Sequence, residues 1–293
     1  MADDSLDLKR EFKSSLFASL FNDKERGLEL VNAFTGKDYP PETEVKIETL
    51  TDVFFIGIQN DLALLVGNTV LFLGEQQSTI NNSMPVRFVS YYGRILEALV
   101  ARRQTYRPGV LKLARPVFVV LYNGIDSYPA RNFLNLSNSF EEPETQLEKD
   151  SFIELQVLVV NIHAPENEEL VKKSQHLFGY VEVIRRSREY QTKGQTLVES
   201  VTHAIEDCIA ADIIADYLRQ HAGEVVGMLT EQFKLEEALW EVRSEGIEVG
   251  EQRGIEIGKK EMVVNMLEAM LPVETVANIA KVSIKKVQEW AQK

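Results

Sequence analysis

The stretch DLALLVGNTVLFLGEQQ, residues 61–77, contains two short apolar runs separated by Gly67-Asn68. Apolar residues occupy both alternating faces of these runs, which is typical of strands in the middle of a sheet. Gly-Asn favours a tight chain reversal between antiparallel strands, so we predict a buried β-hairpin. Similar apolar runs predict further strands. They are VKIETL (45–50), DVFFIGI (52–58), PVFVVLYNG (116–124) and FIELQVLVVNI (152–162).

Segments with helical spacing of apolar residues surround these strands. Residues 6–36 predict two short helices, because Phe12, Leu16 and Leu20 recur every fourth residue before a break at Asn22-Asp23. Further helices are predicted at residues 84–106, 166–178, 197–222 and 229–245. Strands interspersed with helices predict an α/β fold with a central sheet flanked by helices.

Composition narrows the class of protein. A chain of 293 residues has room for one large or two modest domains. The net charge of −13 argues against a protein that coats nucleic acid nonspecifically. Cys208 is the only cysteine, which excludes an intrachain disulfide and a Cys-rich zinc site. No apolar run approaches the ~20 residues that span a bilayer, and the acidic start is unlike a signal peptide, so we expect a cytoplasmic protein without a membrane partner.

Two acidic residues mark the ends of the predicted hairpin. Asp61 begins the first strand, and Glu75 and Gln77 end the second. Residues two apart on a strand project from the same face, so Glu75 and Gln77 share one. Carboxylates meeting at the end of a sheet are ligands that Mg²⁺ or Mn²⁺ prefers, and such a metal could hydrolyse a phosphate ester. The alternative is that these are ordinary hydrogen-bonded or solvated residues at a strand end.

The metal hypothesis depends on the hairpin register. With a two-residue turn at Gly67-Asn68, Asp61 pairs with Gly74 and points away from Glu75. With a three-residue loop, 67–69, or a bulge, Asp61 faces Glu75 directly. The metal hypothesis therefore requires the longer loop or a bulge.

The segment after the hairpin is basic. Residues 84–115 carry seven Lys or Arg residues against Glu97 alone, a net charge of +6. A basic groove beside an acidic metal cluster suits DNA cleavage, because cations hold the backbone while the metal acts on one phosphate. An ordinary solvated helix face explains the same charges equally well.

The C-terminal segment has a different pattern. Glycine recurs every fourth residue at Gly246, Gly250, Gly254 and Gly258. We predict a helical appendage over residues 229–293 that is used for self-association, with a flexible linker as the alternative. The stretch AKVSIKKVQEW (280–290) resembles the turn and second helix of a helix-turn-helix, and a small packing hairpin remains equally open.

Several stretches together resemble the Rpn-type recombination-promoting nucleases, transposase-like members of the PD-(D/E)xK nuclease superfamily. The resemblance runs over nearly the whole chain, in the same order. The stretches are EFKSSLF (11–17), NDLALLVG (60–67), GEQQSTINNSMPVRFVSYYGRILEAL (74–99), PVFVVLYNG (116–124) and EGIEVGEQRGIEIG (245–258).

This resemblance implies a restriction-endonuclease-like nuclease domain over residues 1–228 and a Mg²⁺-dependent DNA endonuclease activity, with Mn²⁺ as a substitute metal. Asp61 and Glu75 match the two acids of the family motif, and Gln77 matches its third position. The metal ligands implied are Asp61, Glu75 and the backbone carbonyl of Gln76. An acid from the first helical region sometimes joins such sites, and Glu29 is the candidate here.

Gln77 departs from the lysine typical of the superfamily. Glutamine can orient a water molecule but offers only a dipole in place of a full positive charge. The alternative function is therefore a catalytically weak or inactive protein that binds DNA or another partner on the same scaffold. The candidate DNA-binding residues of the basic segment are Arg87, Arg94, Arg102 and Arg103.

Overall fold

A computed structural model describes residues 15–48, 61–100, 109–150 and 152–291. The chain divides into two compact units, Met1–Phe233 and Lys234–Lys293. The boundary expected from the sequence lay between residues 228 and 229. Each unit is described separately below.

The first unit is built on one mixed sheet. Its strands among the described residues are β1 Val45–Glu48, β2 Asp61–Val66, β3 Val70–Gln77, β4 Arg115–Tyr122, β5 Arg131–Asn135 and β6 Gln156–Asn161. They lie in the order β1-β2-β3-β4-β6-β5. The first three strands form an antiparallel meander, β4 and β6 run parallel to β3, and β5 pairs antiparallel with β6 at one edge. The predicted α/β class is confirmed.

Helices cover the two faces of this sheet. Over both units, the α-helices among the described residues are α1 Leu16–Phe21, α2 Lys24–Thr35, α3 Met84–Leu99, α4 Gln146–Asp150, α5 Glu168–Lys172, α6 Gln175–Thr192, α7 Leu197–Ala210, α8 Ala215–Glu268, α9 Val273–Ala280 and α10 Ile284–Ala291. Phe72 and Val119 belong to the core formed with α1, α2, α6 and α7. Leu73 and Val120 face the other way and pack with Phe88 of α3. Because side chains alternate along a strand, Glu75 and Gln77 lie on the α3 face.

Local signals account for the helix boundaries near the start of the chain. The Asp23 side chain caps α2 by accepting hydrogen bonds from the backbone amides of Glu25 at 3.1 Å and Arg26 at 3.0 Å. The same helix ends at Gly36, whose φ of 67° suits a residue without a Cβ. The two short helices predicted before the sheet are confirmed over the described residues.

Other predicted boundaries are wrong. The helix expected at 166–178 is interrupted at Ser174, whose side chain accepts from the Leu177 amide at 3.0 Å and starts the longer helix α6. The helix expected at 197–222 is broken after α7, where Asp212 and Ile214 have φ values of 57° and 41°. Strand β5 was not predicted. The predicted strand DVFFIGI lies outside the described residues.

The second unit is helical. The C-terminal part of α8 packs with α9 and α10 around Val263, Val276, Val287 and Trp290. The glycine-periodic stretch lies within α8, so its predicted helical conformation is confirmed. Over the part of the chain that the structure describes, we find no helix with the length and apolar character needed to cross a membrane.

Candidate functional site

The register of the β2–β3 hairpin satisfies the condition that the sequence set for the metal hypothesis. Val66 pairs with Val70, which leaves a three-residue loop, 67–69, between the strands. Asp61 consequently pairs with Glu75, and both positions lie on the same face of the sheet. The side chain of Asp61 lies outside the described part of the structure.

Glu75 is the buried centre of the described site. Its side chain is almost inaccessible, with a relative exposure of 2% for the whole residue. Its Oε1 accepts a hydrogen bond from Gln77 Nε2 at 2.9 Å and forms an ion pair with Arg87 Nη1 at 2.9 Å. A buried carboxylate requires this kind of charged and hydrogen-bonded compensation, because leaving water is costly for an ion.

Helix α3 supplies the cation. Pro85 occupies its first turn, where the missing amide proton costs nothing, and Arg87 follows two residues later. The guanidinium is also held by the Tyr91 hydroxyl, which accepts from Nε at 3.1 Å and from Nη2 at 2.7 Å. Tyr91 lies one turn further along α3 and is buried. The arginine is therefore fixed at both edges of its planar fork.

Gln77 is held on the same side of the site. Its Nε2 lies 2.9 Å from Glu75 Oε1 and 2.7 Å from the sulfur of Met84, the first residue of α3. The end of β3 and the first turn of α3 thus form one contiguous polar cluster, Glu75–Gln77–Arg87–Tyr91. We call it the Glu75 cluster.

Gln76 lies between Glu75 and Gln77 in the chain, so its side chain projects from the other face of β3. Its position is on the sheet face that packs against α2 and α6, and it is 1% exposed. Its Oε1 has no hydrogen-bond partner among the described residues. Only its backbone, not its side chain, is placed to serve a site on the α3 face.

Glu29 is not brought to the Glu75 cluster. It lies on α2, which packs against the other face of the sheet. Its carboxylate lies 2.6 Å from His176 Nδ1 and accepts from the His176 amide at 3.4 Å, at the start of α6. Burial raises the pKa of Glu29, but hydrogen bonds and the charge of His176 outweigh burial and hold this pKa below its ordinary value. Through these contacts Glu29 links helix α2 to helix α6.

The remaining predicted DNA-binding residues follow Arg87 along the chain. Arg94 lies two turns later on α3 and is partly buried. Arg102 and Arg103 lie outside the described residues. The structure therefore brings only Arg87, of these four arginines, into a described contact with Glu75.

A second polar cluster lies where the parallel strands end. Asn123 directly follows β4, is fully buried, and donates its backbone amide to the Gln77 carbonyl at 2.8 Å. Its side chain donates to the Tyr180 hydroxyl at 2.8 Å and accepts from Arg188 Nη2 at 3.1 Å. This cluster connects the end of β3, which carries Gln77, to helix α6.

His163 completes this second cluster. Its Nε2 lies 3.2 Å from Asn123 Oδ1 and 3.4 Å from Arg188 Nη1. Burial, together with the positive charges of Arg188 and Arg185, lowers the pKa of His163 to about 4. His163 is not among the site residues that the sequence predicts. The available signal was position, since Asn123 and His163 each follow an apolar strand, and polar residues at the carboxyl ends of parallel strands meet at one edge.

Comparison with known proteins adds no relative. No protein-family model, curated protein or solved structure matches this chain. Among the described side chains, no group of three or more His, Cys, Asp or Glu residues is arranged to hold a metal ion.

Proposed function

We propose that this protein is a Mg²⁺-dependent DNA endonuclease that hydrolyses phosphodiester bonds on a restriction-endonuclease-like scaffold. One observation carries the proposal. The hairpin register pairs Asp61 with Glu75 at the end of two central strands, and Gln77 lies on the same face. Two acidic positions and a neighbouring amide at one end of a sheet form the kind of oxygen-rich site that divalent metal chemistry requires.

The chemistry of these residues fits a hard divalent cation. Asp61 and Glu75 offer carboxylate oxygens, and the Gln76 backbone offers a carbonyl, which are the donors that Mg²⁺ and Mn²⁺ prefer. Glu75 already has a cationic partner 2.9 Å away, so its position accommodates a positive charge. A bound cation would activate water and neutralise charge on the phosphate.

The other residues of the Glu75 cluster position the reactants. Gln77 fixes the orientation of the Glu75 carboxylate through its 2.9 Å hydrogen bond, and its amide can orient a water molecule. Arg87 presents a planar fork that suits a phosphate. Arg94, two turns further along α3, would contact the DNA backbone, as would Arg102 and Arg103.

Two observations favour a second candidate function. Glu75 Oε1 is shared by two donors, Arg87 and Gln77, and glutamine replaces the motif lysine. A site whose carboxylate is neutralised in this way could bind DNA or another partner without cutting it. This second candidate is a binding protein on the same scaffold.

Plasmid nicking in Mg²⁺ distinguishes the two candidates. We expect the wild-type protein to relax supercoiled DNA and chelation to stop it. Asp61→Ala and Glu75→Ala should each lower the rate by more than about 100-fold, because each removes a metal ligand. Glu44→Ala is the matched control, since this carboxylate is exposed and pairs only with nearby Lys46 among its described contacts.

DNA binding is measured in parallel by gel shift. Retained binding in both alanine variants, with nicking lost, supports the nuclease. If the wild-type protein binds DNA but does not nick it in Mg²⁺ or Mn²⁺, the second candidate replaces the first.

A further inference from the structure

We infer that Arg87 is the counter-ion of Glu75 in the metal-free protein, where it takes the position of the divalent cation. When the cation binds, the Arg87 guanidinium would leave Glu75 and pair with the substrate phosphate instead. This inference rests on the proposed function and assigns the residue that regulates metal entry to that site. It follows from how Arg87 is held and from the burial of its partner.

Glu75 cannot be left uncompensated. Its carboxylate is buried, and its Oε1 is shared by Arg87 Nη1 and Gln77 Nε2, each at 2.9 Å. Of these two donors only the guanidinium is charged, so it supplies positive charge to a carboxylate that has left water. Removing that charge should raise the affinity of the Glu75 carboxylate for any other cation.

A divalent cation held by Glu75 would compete with the guanidinium for the negative charge of one carboxylate. Arg87 Nη1 already lies 2.9 Å from Glu75 Oε1, and two positive groups beside one buried carboxylate would repel each other. A cation held there would therefore weaken the contact between Nη1 and Glu75.

The geometry gives the displaced guanidinium a second anchor. Tyr91 accepts from Nε and Nη2, while Nη1 reaches Glu75. The Arg87 side chain is 21% exposed, so one edge of the fork can turn towards a ligand while the other edge stays on Tyr91. A phosphate that accepts from Nη1 would replace the carboxylate that the metal has taken.

Mn²⁺ titration of the full-length protein tests the inference without relying on activity. Arg87→Met removes the competing charge while keeping an unbranched side chain. We expect it to bind Mn²⁺ about 10-fold more tightly than the wild type by calorimetry or electron paramagnetic resonance. Arg115→Met is the matched control, because Arg115 is exposed and pairs with Val70 at the opposite end of β3. It should leave the affinity unchanged.

Thermal unfolding provides the second readout. Arg87→Met should lower the melting temperature of the metal-free protein, and Mn²⁺ should raise it more in this variant than in the wild type. Arg87→Gln keeps a hydrogen-bond donor near Glu75 and should also bind Mn²⁺ more tightly. It serves in place of Arg87→Met if that variant fails to fold.

The outcomes separate this inference from the proposed function. Equal Mn²⁺ affinity in the wild type and both Arg87 variants overturns the inference. If that wild-type protein nicks DNA in Mg²⁺, the nuclease proposal still stands. Absence of Mn²⁺ binding from all variants overturns both.

Discussion

At the scale of the residue, the Glu75–Arg87 pair is central to the site. Buried ion pairs contribute little net stability, since desolvation offsets most of the attraction, but breaking one leaves an uncompensated charge. Glu75 is buried and Arg87 is mostly buried, so the pair falls in this regime. Breaking the pair is therefore expected to cost more stability than the intact pair contributes.

A double-mutant cycle measures this coupling. We expect Glu75→Gln and Arg87→Met each to lower the free energy of unfolding by about 3 kcal/mol, because each leaves the other member of the pair without its opposite charge. The double variant should lose much less than the sum of the two. Urea denaturation of the four proteins gives the coupling energy. Strict additivity would show that the two side chains do not stabilise each other.

His163 is the second residue with a measurable consequence. Its pKa is lowered to about 4 in the folded protein, against an ordinary value of 6.5. The unfolded chain therefore binds more protons than the folded protein between these two values. The stability that His163 contributes is present above pH 6.5 and is lost as the pH falls towards 4.

The expected loss between pH 7.5 and pH 5 is about 2 kcal/mol of unfolding free energy from this group. His163→Gln should remove that part of the pH dependence. His221→Gln is the control, since His221 lies on the surface of α8. Urea denaturation at the two pH values provides the measurement. A His163→Gln protein with the wild-type pH dependence would contradict the assignment.

At the scale of the element, the hairpin loop sets the site. Gly67 and Asn68 have φ values of 54° and 53°, and the third residue, Thr69, brings Val66 opposite Val70. A shift of one residue would move Asp61 to the other face, away from Glu75. The left-handed conformation of Gly67 therefore matters for the register as well as for the turn.

Two glycine-to-alanine changes should shift the free energy of unfolding in opposite directions. Gly67→Ala should lower the free energy of unfolding by about 1 kcal/mol, because alanine is strained at positive φ. Gly93 lies in α3, and an added Cβ meets nothing within 4 Å. Gly93→Ala should therefore raise stability by up to about 1 kcal/mol through helix propensity. Thermal or urea unfolding of both variants tests this, and a shift in the same direction for both would contradict it.

Strands β2, β3, β4 and β6 could be predicted from the sequence because their apolar runs are long and continuous. Edge strand β5, RNFLN, could not, since it is short and polar and only one of its residues, Leu134, is buried. The sequence predicts the hairpin but not its register, because the apolar pattern does not specify whether the loop has two or three residues. Only the structure selects the three-residue loop.

The Glu75 cluster was only partly predictable for a related reason. Glu75, Gln77 and Arg87 are close in sequence and follow one another into α3, so their proximity could be anticipated. In the second cluster, by contrast, one partner of Asn123 lies 65 residues later, at Arg188. Single-sequence patterns carry no information about which distant side chains meet, and the second cluster was therefore missed.

At the scale of the whole molecule, charge is unevenly distributed. The chain carries −13 overall, while residues 84–115 carry +6. Within α8, the stretch 231–251 has seven acids against two basic residues, and 252–260 has one acid against three. The acidic stretch would repel DNA, whereas the basic segment follows directly from the Glu75 cluster. This distribution favours separate tasks for the sheet-containing unit and the helical tail.

The tail is expected to join copies of the chain. Ile247, Val249, Ile255 and Ile257 are 50–59% exposed on α8, and a cluster of exposed apolar side chains can mark a surface that a partner covers. The four periodic glycines have open space where a Cβ would lie, so another helix could approach closely there.

Sedimentation of the full chain decides the matter. The double change Ile247→Lys with Ile255→Lys should convert an oligomer to a monomer, because it places charge in the apolar contact. The paired control, Glu248→Lys with Glu251→Lys, changes exposed acids on the same helix and should preserve the oligomer. The quadruple change of Gly246, Gly250, Gly254 and Gly258 to alanine should weaken assembly if two helices pack closely through the glycines. If the quadruple variant only stabilises the helix, as alanine propensity alone predicts, the glycines do not lie in the contact between chains. A wild-type protein that sediments as a monomer would rule out self-association through the tail.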